Sequence, residues 1–219
     1  MNRINVITID GPSASGKGSL AIAITKSFNF SLLDSGSLYR LLAYLVNNGE
    51  SIDSASEIIS KNVKFILKED NLLVLNNDID ISDKIRTEKI AGFASELSTN
   101  IEVRRALFEI QRSFYNEKGL VADGRDMGTV VFKDAKLKIF LTASPQERAK
   151  RRYLELQKRG QEVNMPDLIA DIERRDLKDT SRELSPLLPA DDAHIIDSSE
   201  MSLGDVISFT KILIKEEYL

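Results

Sequence analysis

The chain has 219 residues, 42% apolar and 29% charged, which is enough for one large α/β core with small inserted lobes but not for a second full domain. A formal net charge of −4 speaks against holding a nucleic acid polymer by bulk electrostatics and suits small anions bound in a local basic cleft. Zero cysteines exclude a disulfide scaffold and a Cys-based zinc site, the lone His194 cannot form a histidine cluster and reads as structural, and a reducing cytoplasm is the natural setting.

No stretch approaches the ~20 apolar residues of a membrane span. Residues 1–10 run straight into a glycine turn, so they read as a first strand rather than a leader. The short, β-branched segment 4–9, bounded by Asp10-Gly11-Pro12, predicts a buried parallel strand. Leu20, Ile22, Ala23, Ile24 and Phe28 predict a helix over 18–28, and residues 30–33 a second strand. Strand, glycine loop, helix, strand is the βαβ unit of a parallel sheet.

Helices are predicted over 37–47 and, more weakly patterned, over 54–61. Segments 63–68 and 72–75, with Ile79 and Ile81 alternating after the turn-prone Asn76-Asn77-Asp78, predict a small β-containing insertion. Residues 87–115 carry long helical periodicity without proline, and 120–122 and 138–141 read as two more core strands. A charged helix over 147–159, a break over 160–166, a helix opened by Pro166-Asp167 and running through 175, a strand at 193–196 and a helix over 203–218 complete the chain.

The strongest local signal is Gly11-Pro12-Ser13-Ala14-Ser15-Gly16-Lys17-Gly18-Ser19, between the first predicted strand and helix. A polyphosphate needs many converging donors, and glycines let successive backbone N–H groups turn inward at a helix N-terminus. Lys17 then supplies a point charge to the β- and γ-phosphates of a bound ATP. Gly18 stands where Ser or Thr usually follows the lysine, which leaves Ser19 as the nearest hydroxyl for Mg2+. Asp123, ending a short apolar strand, is either a carboxylate bearing on magnesium, directly or through water, or a turn cap. Asp10 either orients Lys17 or caps the loop.

Arg148, Arg151 and Arg152 lie at i, i+3 and i+4 of the charged helix, and Arg159 follows on that face, so at least three guanidiniums are placed to point the same way. Taken alone, the run reads as a solvated face paired with Glu147 and Glu155, although guanidinium forks also match phosphate oxygens bidentately.

Four further segments complete a pattern: Leu32-Leu33-Asp34-Ser35-Gly36 with Tyr39-Arg40; Ile85-Arg86-Thr87; Ala122-Asp123-Gly124-Arg125-Asp126-Met127-Gly128-Thr129-Val130-Val131-Phe132; and Glu173-Arg174-Arg175-Asp176 with Asp179 and Arg182. With the phosphate loop, these resemble the bacterial cytidylate kinases over nearly the whole chain, and Asp-Gly-Arg-Asp-Met-Gly-Thr is the most diagnostic string. The resemblance implies a P-loop NTPase-type α/β fold, a parallel sheet flanked by helices. Core segments at 1–33, 116–147 and 167–219 would be joined by an acceptor nucleotide lobe at 34–115 and a lid at 148–166.

It further implies a monomeric enzyme that transfers the γ-phosphoryl of ATP to CMP or dCMP. Lys17, Arg125, Arg152 and Arg182 would be its catalytic cations. Ser35, Tyr39, Arg40, Arg125 and Arg175 would hold the acceptor or its phosphate, and Arg182 would join that basic set. Ser95, Arg104 and Asp126 would read cytosine, with Asp179 and Arg175 on the ribose. Cytosine offers an N4 donor and an O2/N3 acceptor face, which a carboxylate, a guanidinium and a hydroxyl can read together; Ser95 alone fits a helix-surface serine as well. The rival readings are a kinase for UMP or a small hydroxylated acceptor, and a GTP-binding or non-catalytic switch. The arginine supply disfavours hydroxyl acceptors, and no Asn-Lys-x-Asp string is present to read guanine.

Overall fold

The computed structural model describes residues 3–69, 71–158, 160 and 162–218. Five parallel strands form the main sheet: β1 (Ile4–Asp10), β2 (Ser31–Asp34), β6 (Leu120–Gly124), β7 (Ala135–Thr142) and β8 (His194–Asp197), in the order β2-β6-β1-β7-β8. Each β-to-β passage runs through helices, as parallel pairing requires. Along β1, Val6 packs into one core cluster while Ile7 and Ile9 pack into the other, and Leu120 and Ala122 of β6 alternate with Val121 in the same way. Both faces are apolar because helices cover both. On the first face lie α2 (Ser35–Asn47), α3 (Ile52–Asn62) and α6 (Ile101–Ser113); on the second lie α1 (Lys17–Phe28) and α9 (Leu203–Tyr218).

Between α3 and α6 the chain inserts a three-stranded antiparallel sheet of β3 (Val63–Lys68), β4 (Asn71–Asn76) and β5 (Ile79–Asp80), then the short α4 (Ser82–Ile85) and α5 (Glu88–Leu97). The insertion is not held by its own strands alone. Leu72, at the start of β4, is buried in the second core cluster, together with Leu20 of α1 and Leu32 of β2. Its carbonyl accepts a 2.6 Å hydrogen bond from Arg86 Nη2.

Two local outcomes differ from the sequence pattern. The continuous helical run of 87–115 is two helices, because Ser98 and Thr99 hydroxyls bond back to the Ser95 and Glu96 carbonyls and the Asn100 side chain accepts the Glu102 N–H at 2.7 Å, capping α6. The apolar period is the same on both sides, so the break leaves no mark in it. The Met127–Val131 segment forms a π-helical turn, a rare geometry that periodicity does not encode. The remaining helices, α7 (Pro145–Lys158) and α8 (Met165–Thr180), pack on each other beside the sheet's C-terminal edge. His194 opens β8 and is exposed. None of the described helices is long and apolar enough to cross a membrane.

Candidate active site

All five main-sheet strands end on one edge, where ligands bind in open α/β sheets. From β1 the chain enters the glycine loop. Gly11 has φ +148°, and a Cβ there would lie 2.0 Å from the Leu141 carbonyl oxygen, so the loop's first residue sits against β7 in a way only glycine permits. Gly16, at φ +96°, turns the loop into the first turn of α1. Lys17 is buried and folds back so that Nζ donates to the Pro12 carbonyl at 2.8 Å, crossing the loop. Burial and the neighbouring Arg125 push its pKa down to about 7, against the opposing pull of Asp123 and Asp10.

Asp123 stands beside Asp34 across the β2-β6 pairing. Burial, with Asp34 acting in the same direction, raises the Asp123 pKa to about 6, and Lys17 opposes the rise. No cluster of three metal-ligating side chains occurs among the described residues. Magnesium binds through one or two carboxylates plus phosphate oxygens and water rather than a full protein cage, so this sparse acidic edge fits a magnesium ion carried with a nucleotide. Gly18 packs toward Asp123, with a Cβ position 3.6 Å from Oδ2, while Ser19 is exposed on the adjacent turn. Asp10 bears on Lys17 through its charge and not through a hydrogen bond. Its carboxylate accepts the Met127 and Gly128 N–H groups at 2.8 and 2.7 Å, and so binds the turn after β6 rather than Lys17.

Two hollows meet at this edge. The first, of about 430 Å³, is lined by Ser13 to Ser19, Asp34, Asp123, Arg40, Arg86, Arg125 and Arg152. A second, of about 120 Å³, is lined by Ser35, Tyr39, Ser95, Arg104, Asp126, Arg175, Asp179 and Arg182. Ser13, Gly36, Arg40, Gly124 and Arg125 line both, so two anions bound side by side would share one wall.

Within the second hollow Arg104 is ion-paired with Asp126 and donates to the Ser98 carbonyl at 3.1 Å. Asp179 accepts from Arg125 Nε at 3.1 Å and is also ion-paired with Arg182. Ser35 Oγ accepts from the buried Gln111 Nε2 at 2.8 Å. Burial pushes the Tyr39 hydroxyl up to about 12. Arg40 and Arg175 form no hydrogen bond or ion pair among the described residues, although both line the hollow. Burial, together with Arg152, Arg175 and Arg125 nearby, lowers the Arg40 pKa against the pull of Asp34. Such a crowd of guanidiniums is stabilised by anions.

The arginines of α7 reach the loop by different means. Arg148 is buried; it donates to the Ala143 and Ser13 carbonyls at 2.9 and 3.2 Å and pairs with Asp176 of α8. Arg151 donates to the Ser15 carbonyl at 2.9 Å and to the Ser198 carbonyl at 2.7 Å. Arg152 alone lines the first hollow, and pairs with Glu155 and with Glu88 of α5. Shared direction on the helix therefore does not mean a shared role: two of these cations brace the loop's carbonyls. Arg159 lies outside the described residues. A third hollow, behind the loop, is lined by Leu141, Arg151, Ser198, Met201 and Val206. Arg151 apart, nothing in the residue pattern marks these, nor Glu88 or Gln111, because their parts depend on distant segments meeting.

A glycine loop gripping an ammonium group at the C-terminal edge of a parallel sheet, facing an arginine-lined hollow, defines a phosphate-loop kinase. The family described as cytidylate kinase matches residues 7–216. Among curated relatives, the cytidylate kinase of Proteus mirabilis is 47% identical over 210 residues, covering 93% of each chain. That of Acinetobacter baylyi is 44% identical over 211 residues, again with 93% of each covered, and that of Yersinia pestis is 46% identical over 207 residues, covering 92% of this chain and 90% of its own. The chain belongs to the cytidylate kinase family, and is a transferase acting on nucleotides.

Proposed function

We propose that this chain transfers the γ-phosphoryl group of ATP to CMP or dCMP, giving ADP and CDP or dCDP, as a cytoplasmic monomer in pyrimidine nucleotide metabolism. The observation that carries the reading is the arginine wall common to two adjoining hollows, one built on the glycine loop and the other holding the Arg104–Asp126 pair. ATP is assigned to the loop Gly11 to Ser19, with its phosphates on the backbone N–H groups of the loop, Pro12 having none, and on Lys17. The monophosphate is assigned to the second hollow, its phosphate facing Ser35, Tyr39, Arg40, Arg125 and Arg175. Its ring is assigned to Ser95, Arg104 and Asp126, and its ribose to Asp179.

An acceptor phosphate is already anionic, so the reaction needs no general base; the task is to hold two repelling anions in line and spread the charge that develops between them. Arg125 and Arg40, on the shared wall, serve both anions. Arg152 and Arg182 add charge from α7 and the α8 side, while Arg148 and Arg151 keep the loop's carbonyls turned away from the phosphates. Residues 148–166 are assigned to the lid, with Arg148 and Arg151 its fixed end against the loop, and the 34–115 lobe closes on the acceptor. Magnesium bound with ATP neutralises phosphate charge, with Asp123 and Ser19 the residues to hold it, partly through water.

ADP release measured with CMP, dCMP, UMP or a shikimate-like alcohol, and with no acceptor, tests the reading. Fast turnover with CMP or dCMP alone is expected. Turnover that ignores the acceptor identifies a switch or simple hydrolase, and preference for the alcohol overturns the assignment. Asp126→Ala should narrow the CMP-to-UMP ratio of kcat/KM more than it weakens ATP binding; an unchanged ratio rejects the base-reading role.

A further inference from the structure

Asp126 occupies the N-cap position of the π-helical turn Met127–Val131, yet its side chain makes no capping bond to that turn. An N-cap aspartate normally accepts the N–H of the second or third residue of its turn, here Gly128 or Thr129. The Gly128 N–H is instead taken by Asp10, whose other oxygen accepts the Met127 N–H. Asp10 is 117 residues away in sequence and only 4% exposed. Asp126 keeps its carbonyl in the turn, accepting the Val130 and Val131 N–H groups at 2.9 and 3.2 Å. Its carboxylate is left to Arg104 in the acceptor hollow.

We infer that Asp10 is a positioning residue for acceptor selection: by capping the turn in place of Asp126, it frees the Asp126 carboxylate to face the pyrimidine. The inference rests on the base-reading role proposed for Asp126. Asp10 also immediately precedes Gly11, so the same carboxylate fixes the base-reading turn relative to the first residue of the phosphate loop. The fit is tight. A Cβ at Gly128 would stand 2.9 Å from Thr8 Oγ1, 3.2 Å from Lys138 Cδ and 3.3 Å from Asp10 Oδ2, so a side chain at 128 would crowd the turn against β1 and Asp10.

In the structure each oxygen of Asp10 takes one of the two amides. In Asp10→Asn one oxygen still accepts, but the amide nitrogen is a donor and leaves a buried N–H without a partner. The neighbouring Asp126 carboxylate is then drawn to cap its own turn. Asp10→Asn is expected to lower kcat/KM for CMP about tenfold, the scale of one lost buried charge-assisted bond. It should lower kcat/KM for UMP much less, so the CMP-to-UMP ratio falls, while KM for ATP changes less than KM for CMP.

Gly128→Ala crowds the same contact from the other side and should shift the ratio in the same direction. It carries the test should Asp10→Asn fail to fold. Thr8→Ala is the control: Thr8 Oγ1 is buried without a hydrogen-bond partner, and its removal perturbs the same strand while opening rather than crowding the space beside Gly128. The ratio should hold. An Asp10→Asn or Gly128→Ala enzyme that melts lower but keeps the parent ratio reduces Asp10 to a structural cap and overturns the inference. If Asp126→Ala itself leaves the ratio unmoved, the base-reading role fails first, and the inference falls with it; a ratio that moves with Asp126→Ala but not with Asp10→Asn sinks the inference alone.

Discussion

The guanidinium of Arg152, on α7, is ion-paired with the carboxylate of Glu88 at the start of α5, joining α7 to the inserted segment across the cleft. The Glu88 side chain is 51% exposed, so solvent screens the bridge and it contributes under about 1 kcal/mol. Nucleotide phosphates must compete with Glu88 for Arg152. Glu88→Gln should therefore lower the KM for nucleotide by no more than about threefold, with the gain shrinking at high salt. Arg152→Ala should cut kcat by about 10³-fold, as expected of a cation acting on a transferring phosphoryl group. Steady-state kinetics across ionic strengths reads both; an Arg152→Ala enzyme with parental kcat removes this arginine from the mechanism.

Arg148 is expected to matter through stability. Its side chain is 3% exposed and serves two backbone carbonyls and Asp176 at once. Arg148→Ala strands the Asp176 charge and two carbonyls, at a cost of about 3 kcal/mol. For a chain of this size that lowers Tm by about 6–12 °C. Arg148→Lys should recover less than half, because one ammonium cannot reproduce the planar fork. Thermal unfolding followed by circular dichroism decides, and a shift under 2 °C would show that the brace contributes little.

Lys17 links ATP binding to protons. Burial and Arg125 hold its free-enzyme pKa near about 7, so the side chain is charged below that pH and progressively neutral above it. Triphosphate favours the ammonium form, so its pKa rises on binding and the complex takes up a proton. Uptake should be small at pH 6 and approach one proton near pH 8, and ATP affinity should weaken as pH rises through 7. Calorimetric titration in buffers of different ionisation enthalpy counts the protons. Lys17→Met should abolish most of the uptake at pH 8; equal uptake in parent and variant would assign it to another group.

Much of this architecture is legible before folding is considered, because it is written in local chemistry. Gly11, Gly16 and Lys17 announce the loop by spacing alone, and the β-branched run of β1 announces the strand feeding it. The parallel order is implied by strand, loop and helix in alternation. Other features are set by pairs far apart in sequence. The carboxylate of Asp10 has the same composition signature whether it faces Lys17 or Met127, and only the register of β1 against β6, Asp10 opposite Gly124, brings the turn within its reach. Arg148, Arg151 and Arg152 look equivalent on a helical wheel. Their neighbours, Asp176, Ser198 and Glu88, come from three separate segments, and those neighbours divide them. The break between α5 and α6 was hidden for the opposite reason: its cause is local, but the apolar stripe continues across it.

The insertion's attachment through Leu72 makes its two ends unequal. That side chain is buried in the cluster that also holds Leu20 and Leu32, while Ile79 at the far end is exposed. Displacing the small sheet from the main one would first require extracting an apolar plug from the core, whereas the end near Ile79 has no such anchor.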